Sequence, residues 1–133
     1  MDCLFCKIIA GEIPCHKVFE NESVLAFLDI HPCSKGHTVV IPKNHAKNIE
    51  EISSDDWQKL AVGLKIAVAR VQEVLKPAGM NIGLNNNEVA GQAVPHIHYH
   101  IIPRYDGDGG GSMHSIVRAP VFPPVSDVAK LFE

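Results

Sequence analysis

Three histidines spaced two residues apart, His96, His98 and His100, lie in the run Pro95-His96-Ile97-His98-Tyr99-His100-Ile101-Ile102-Pro103. On an extended chain alternate side chains share a face, so the spacing puts three imidazoles on one side and Ile97, Tyr99 and Ile101 on the other. A neutral imidazole both donates and accepts a hydrogen bond. A row of them therefore suits a phosphate, a metal ion or a proton relay. A metal site made from all three is an alternative the residues leave open, because imidazole is a frequent zinc ligand.

Cys3 and Cys6 form a CxxC pair. A thioredoxin-like redox pair needs a preceding strand and a following helix, and no strand pattern precedes residue 3. The pair reads better as half of a zinc site whose other two ligands lie downstream. Cys15 and Cys33 read as small ordinary thiols. His37 follows Gly36 at the start of a strand pattern. The run Asp106 to Ser112 matches neither GxGxxG nor GxxxxGK[ST], and it reads as a flexible loop.

The elements that must position these groups follow from periodicity. Residues 3–10 predict a short helical turn, closed by Gly11 and Pro14. Residues 17–20 and 24–30 predict a hairpin, its second strand too apolar to be exposed. A third strand runs from His37 to Ile41 and stops at Pro42. Ser53 with Asp56 has capping-box spacing, and Trp57, Leu60, Leu64, Ala67, Val68, Val71, Val74 and Leu75 recur at helical spacing up to Pro77. Residues 80–85 predict a fourth strand, and the histidine run, bounded by Pro95 and Pro103, a fifth. The fold class is α+β, a five-stranded antiparallel sheet covered by one long helix plus a short N-terminal helix.

Composition excludes several classes. The 133 residues are 46% hydrophobic and 20% charged with a net charge of -3, which is one ordinary globular domain. A duplex-binding protein needs clustered Lys and Arg, so a nucleic acid polymer is not expected as partner. No 18-residue apolar stretch spans a bilayer and the N-terminus lacks a signal-peptide pattern, so no membrane partner and a cytoplasmic location are expected. The four cysteines should then be reduced.

The run from His96 to Ile102 resembles the signature of the histidine triad (HIT) family, His-x-His-x-His followed by apolar residues, with Gly91-Gln92 just ahead of it. Phe5-Cys6-Lys7-Ile8-Ile9 with Glu12-Ile13-Pro14, Ala26-Phe27-Leu28-Asp29-Ile30 and Gly36-His37-Thr38-Val39-Val40-Ile41-Pro42 extend the resemblance, which is closest to the Hint-like branch. It implies a histidine triad domain over residues 1–112 with 113–133 as an extension of the same domain. It also implies a hydrolase acting on purine nucleotide conjugates of AMP or GMP, either phosphoramidates or dinucleoside polyphosphates, and a homodimer.

Carried onto matching positions, the resemblance makes His98 the nucleophile that forms a covalent nucleotidyl-histidine. His100 and His37 become donors to the phosphate and leaving group. It places Asn85 at the phosphate, Asp29 at the ribose hydroxyls, and Phe5, Ile8, Phe27, Leu28, Ile30 and Val39 around the base, with Gln92 and Val94 also binding nucleotide. It joins Cys3 and Cys6 to His45 and His96 in a structural zinc site. A departure is Ala93, where the Hint-like branch often carries a hydroxyl, and this shifts weight toward dinucleoside polyphosphates. A nucleotidyl transferase and a nucleotide-binding adaptor with incidental slow hydrolysis keep the same pocket and stand as alternatives.

Overall fold

The computed structural model describes residues 2–133. Helix α1 (Leu4–Ile9) leads into strands β1 (Lys17–Glu20), β2 (Val24–Leu28) and β3 (Thr38–Pro42), then helix α2 (Ser54–Leu75), strands β4 (Gly79–Gly83) and β5 (Tyr99–Arg104), and a C-terminal helix α3 (Val125–Lys130). The strands form one sheet in the order β1-β2-β3-β5-β4, with every pair antiparallel. This is the expected α+β architecture. Among the described residues no helix is long and apolar enough to cross a membrane.

Both faces of the sheet are covered, which explains why β2 is apolar at every position. Val24 and Ala26 turn to α2 and join Leu60, Ala67, Val40 and Ile101. Leu25 and Phe27 turn the other way and join Cys3, Phe5, Val39 and Ile41 under α1. The long helix lies very close to the sheet: a Cβ on Gly63 would meet Val24 Cγ1 at 2.6 Å. Its N-terminus is capped as expected, with the Asp56 N–H donating to Ser53 Oγ at 3.1 Å. Its C-terminus ends on Lys76 at φ 50°, a left-handed cap taken by a residue other than glycine.

The histidine run differs from a simple strand bounded by two prolines. Pairing begins only at Tyr99, and His96 to His98 lie before it in irregular chain. That chain is held by the loop after β3 instead: the Ile97 N–H donates to the Ala46 carbonyl at 2.7 Å. At the other end β5 passes through Pro103, fully buried and opposite Met80, to Arg104. Proline fits there because β3 begins at Thr38, opposite Ile101, so β5 at Pro103 has a ladder neighbour on one side only.

The glycine-rich segment after β5 is pinned, contrary to the flexible loop expected. Arg104 Nε and Nη2 donate to both Asp108 carboxylate oxygens at 2.8 Å, Arg104 Nη1 donates to Asn81 Oδ1 at 2.7 Å, and it also donates to the Gly111 carbonyl. The Gly110 N–H donates to Asp108 as well, at 2.9 Å. Glycine loops carry no side chain that advertises such a latch, so the sequence reading missed it. Beyond Ser112 the chain is almost wholly exposed, including Val121, Phe122, Leu131 and Phe132.

Candidate active site

His96, His98 and His100 are three consecutive histidines of the run, yet their backbone and ring bonds give them three different chemical faces. His96 is fully buried, and its Nε2 lies 2.9 Å from the Pro42 carbonyl. A carbonyl only accepts, so Nε2 carries the hydrogen and Nδ1 the lone pair. For His98 the order is reversed. Its Nδ1 lies 2.8 Å from the His96 carbonyl, which fixes Nδ1 as N–H and leaves Nε2 as a lone pair. That carbonyl is available because His96 stands outside the sheet ladder.

His100 receives its tautomer through His37. The Cys33 N–H donates to His37 Nδ1 at 3.0 Å, so His37 carries its hydrogen on Nε2. Nε2 lies 2.9 Å from His100 Nδ1 and 3.6 Å from Asp29 Oδ2. The His37 Nε2–H therefore donates to His100 Nδ1, and His100 turns an N–H at Nε2 outward. His98 and His100 face each other with ring centroids 4.9 Å apart. A lone pair and a donor thus stand side by side.

Burial keeps these rings neutral. It pushes His98 and His37 below the ordinary imidazole value, the Asp29 carboxylate opposing it in both. His100 falls to about 4 by burial first and by the neighbouring His98 and His37 second. A neutral His98 keeps its lone pair at neutral pH.

The lone pair of His96 points to a different group. Cys3 Sγ lies 3.3 Å and Cys6 Sγ 3.6 Å from His96 Nδ1, while His45 Nδ1 lies 3.1 Å from it and 3.4 Å from Cys6 Sγ. All four ligand atoms fall within 4.8 Å of one another. A tetrahedral zinc with sulfur at about 2.3 Å and nitrogen at about 2.0 Å has edges of about 3.3–3.8 Å, so two thiols and two imidazoles at these separations fit a closed metal site. The carbonyl of Pro42 on the far nitrogen of His96 is the outer partner such a ligand needs. Without a metal, burial and Cys3 push the Cys6 thiol up to about 11. Cys3, Cys15 and Cys33 are free thiols.

The residues expected around a nucleotide are placed unevenly. Phe5, Phe27 and Val39 are closed into the core under α1, with Phe5 edge-on to Phe27 at 5.6 Å and to His98 at 5.0 Å. Ile8 and Val94 pack half-buried on that cluster. Leu28 and Ile30 are exposed, flanking Asp29. Asp29 is partly buried; its Oδ1 accepts from the His31 N–H at 2.8 Å, while Oδ2 faces His37. Gln92 is buried, and its amide braces the loop: Nε2 donates to the Lys47 and Val94 carbonyls, and Oε1 accepts from the Asn87 N–H. Ala93 is exposed and offers no hydroxyl.

Asn85 lines a cleft of about 470 Å³ together with His37 and His100. The cleft continues over β4 and β5 to the pinned segment, bringing in Arg104, Asp108 and Met113. Sequence reasoning missed these three. The only trace they leave is an Arg and an Asp four residues apart, a spacing too common to mark a site.

Comparison with known proteins identifies the fold and the family. A crystal structure of a HIT family protein from Bacillus subtilis matches with a TM-score of 0.85 at 40% identity, over 99% of this chain and 95% of that one. A zinc-bound histidine triad family protein from Mycobacterium smegmatis matches with a TM-score of 0.74 at 40% identity, over 82% of this chain and 79% of that one. The adenosine 5'-monophosphoramidase hnt1 of Schizosaccharomyces pombe is 43% identical over 110 residues, 83% of this chain and 80% of its own length. The family model for the HIT domain matches residues 10–107. With its triad, sheet and relatives in agreement, this chain belongs to the HIT family.

Proposed function

We propose that this protein hydrolyses nucleoside monophosphate conjugates through a covalent intermediate on His98, with phosphoramidates of AMP or GMP as the leading substrates. The observation that carries the reading is the opposed pair of tautomers, a bare Nε2 on His98 beside an N–H on His100. The likeness to a fungal adenosine 5'-monophosphoramidase supports the substrate class.

In the first step the His98 Nε2 lone pair attacks the α-phosphorus and forms a P–N bond. The bond from phosphorus to the leaving group breaks, its electron pair stays on the leaving nitrogen, and that nitrogen takes up a proton. The His98 Nδ1–H and the His96 carbonyl support the positive charge that develops on the ring. His100 donates its Nε2–H toward the phosphate oxygens, held in that tautomer by His37, with Asn85 as a further contact. In the second step water attacks phosphorus and gives up a proton. The P–Nε2 bond then breaks and its pair returns to His98, restoring the enzyme.

Asp29 binds the ribose hydroxyls, and Leu28 and Ile30 supply the accessible apolar surface for the base, with Ile8 and Val94 behind them. Phe5, Phe27 and Val39 shape that wall from the core, and Gln92 acts through the loop it braces. Cys3, Cys6, His45 and His96 hold a structural zinc, supported by their mutual distances and by the zinc-bound relative. When bound, zinc ties the N-terminal turn to the sheet and takes no part in the steps above. Residues 1–112 form the catalytic unit and 113–133 an extension of it. A homodimer would cover the apolar side chains that this extension exposes. Free thiols at Cys3, Cys15 and Cys33 suit a cytoplasmic location.

The test is intact mass spectrometry after rapid, acid-free quenching with an adenosine phosphoramidate. A nucleotidyl adduct on the wild type, absent from His98→Ala and accompanied by AMP release, is the expected result. Tight AMP binding without adduct or turnover would favour the adaptor instead.

A further inference from the structure

His37 fixes the tautomer of His100, and the group that fixes His37 is the backbone N–H of Cys33, an exposed residue between β2 and β3. The loop that carries it is bonded mostly to itself. The His37 N–H donates to the Ser34 carbonyl at 3.1 Å and Thr38 Oγ1 to the Gly36 carbonyl at 2.8 Å. Gly36 turns at φ 88°, and a Cβ there would meet Leu75 Cδ1 at 2.1 Å, so the loop lies against the end of α2. Among the described residues one side chain from outside residues 29–38 bonds to the backbone of residues 31–36: Tyr105 Oη donates to the Lys35 carbonyl at 2.8 Å. Tyr105 is aimed by the pinned segment. Its N–H donates to Asp108 Oδ2 at 3.0 Å, the Asp108 N–H returns to the Tyr105 carbonyl at 3.1 Å, and Arg104 holds the same carboxylate.

We infer that the Tyr105 hydroxyl is a positioning group for catalysis: by clasping the Lys35 carbonyl it keeps the Cys33 N–H on His37 Nδ1, and so keeps an N–H turned outward on His100. The inference rests on the proposed hydrolysis at His98. The relay works by exclusion. A donor on Nδ1 leaves His37 Nε2 as the protonated nitrogen, so Nε2 gives to His100 Nδ1 and cannot take from it. With the loop released, His37 can carry its hydrogen on Nδ1, and His100 then donates from its own Nδ1 and turns a lone pair outward. That lone pair repels a phosphate oxygen instead of holding it. The same proton bars a cation. Asp29, His37 and His100 bring ligand atoms within 4.8 Å of one another, yet a protonated Nε2 offers no lone pair to a metal.

The experiment compares the wild type, Tyr105→Phe and Cys33→Pro as full chains with two readouts. Nitrogen NMR shifts of the imidazole rings report the tautomers of His37 and His100 without substrate, and steady-state kinetics on unsubstituted adenosine 5'-phosphoramidate gives kcat and KM separately. Tyr105→Phe keeps the ring and removes only the hydroxyl. It should mix the His37 and His100 tautomers and lower kcat by roughly three- to tenfold at unchanged KM. Cys33→Pro deletes the N–H itself and should lower kcat by about 10²-fold, as His37→Ala does. Wild-type ring shifts or a wild-type kcat in Tyr105→Phe overturns the inference, whatever becomes of Cys33→Pro. Ring shifts that move in Tyr105→Phe, in a protein whose wild type never hydrolyses the phosphoramidate, would sustain the clasp and overturn the hydrolase reading instead.

Discussion

His96 and His98 are separated by one residue, share one backbone segment and are both buried, yet they are polarised in opposite directions. His96 gives its Nε2 hydrogen to the Pro42 carbonyl and turns a lone pair at Nδ1 toward two thiols and His45. His98 gives its Nδ1 hydrogen to the His96 carbonyl and turns its lone pair at Nε2 outward. The same residue type turns its lone pair toward a cluster of thiols and imidazole in one place and outward beside His100 in the other, because different carbonyls lie behind the rings. The two regions are also joined. His96 belongs to one through its ring and to the other through its carbonyl, and Phe5, between the two cysteines, stands edge-on to both His96 and His98.

The sharpest break of this comparison is to remove one member of each region. On the proposed mechanism His98→Ala should lower kcat by a factor on the order of 10⁴ or more, since a nucleophile that carries the intermediate has no substitute. Its melting temperature should fall only modestly, by a few degrees, as one buried ring and one hydrogen bond are lost. Cys3→Ser should behave conversely. Losing a zinc held a thousandfold above its Kd removes about 4 kcal/mol, and for a domain of this size that is on the order of 10–15 °C in melting temperature. Zinc content by atomic absorption alongside a thermal melt checks it; an unchanged melt with full metal loss would detach the metal region from stability.

A smaller effect sharpens the role of His37. His37→Ala leaves His100 Nδ1 without its donor, so the His100 tautomer is no longer fixed. A fall in kcat of about 10²-fold is expected, on the scale of general acid–base contributions, with KM little changed. Steady-state kinetics on an adenosine phosphoramidate measures the split, and a change confined to KM would make His37 a binding group only.

The smallest effect is on stability against pH. His100 is faced by His37, His98 and Asp29, and its folded value of about 4 lies below the 6.5 of the free side chain. Between those values the unfolded chain holds a proton that the folded chain does not, so stability rises with pH. Its contribution is complete above about 6.5 and is lost progressively as pH falls toward 4. Denaturant titrations at several pH values should show that slope, and it should be shallower in His100→Asn. An identical slope would remove His100 as a source of acid sensitivity.

Much of the fold was legible because local rules and tertiary context agree. The β2 run is apolar throughout since α1 and α2 cover both faces of the sheet, and the Ser53 cap forms where the spacing puts it. Pro103 reads as a strand end in the sequence because proline normally stops a ladder; only the sheet order shows that its neighbour on one side is absent. The resemblance places Gln92 at the nucleotide, and the sequence carries no sign that its amide also braces a loop. The Arg104 latch was invisible because glycines and a common charge spacing carry no signal of closure.

By itself the sequence determined the row of imidazoles, the pair of cysteines and the family they resemble, because those depend on residue type and spacing alone. Which nitrogen of each histidine carries the hydrogen was decided only by the tertiary structure. The partners that fix it are the Pro42 carbonyl, the His96 carbonyl left outside the ladder, and the Cys33 N–H acting through His37. Every residue carries the same backbone carbonyl and, proline apart, the same N–H, so no sequence pattern announces where one will stand behind a ring.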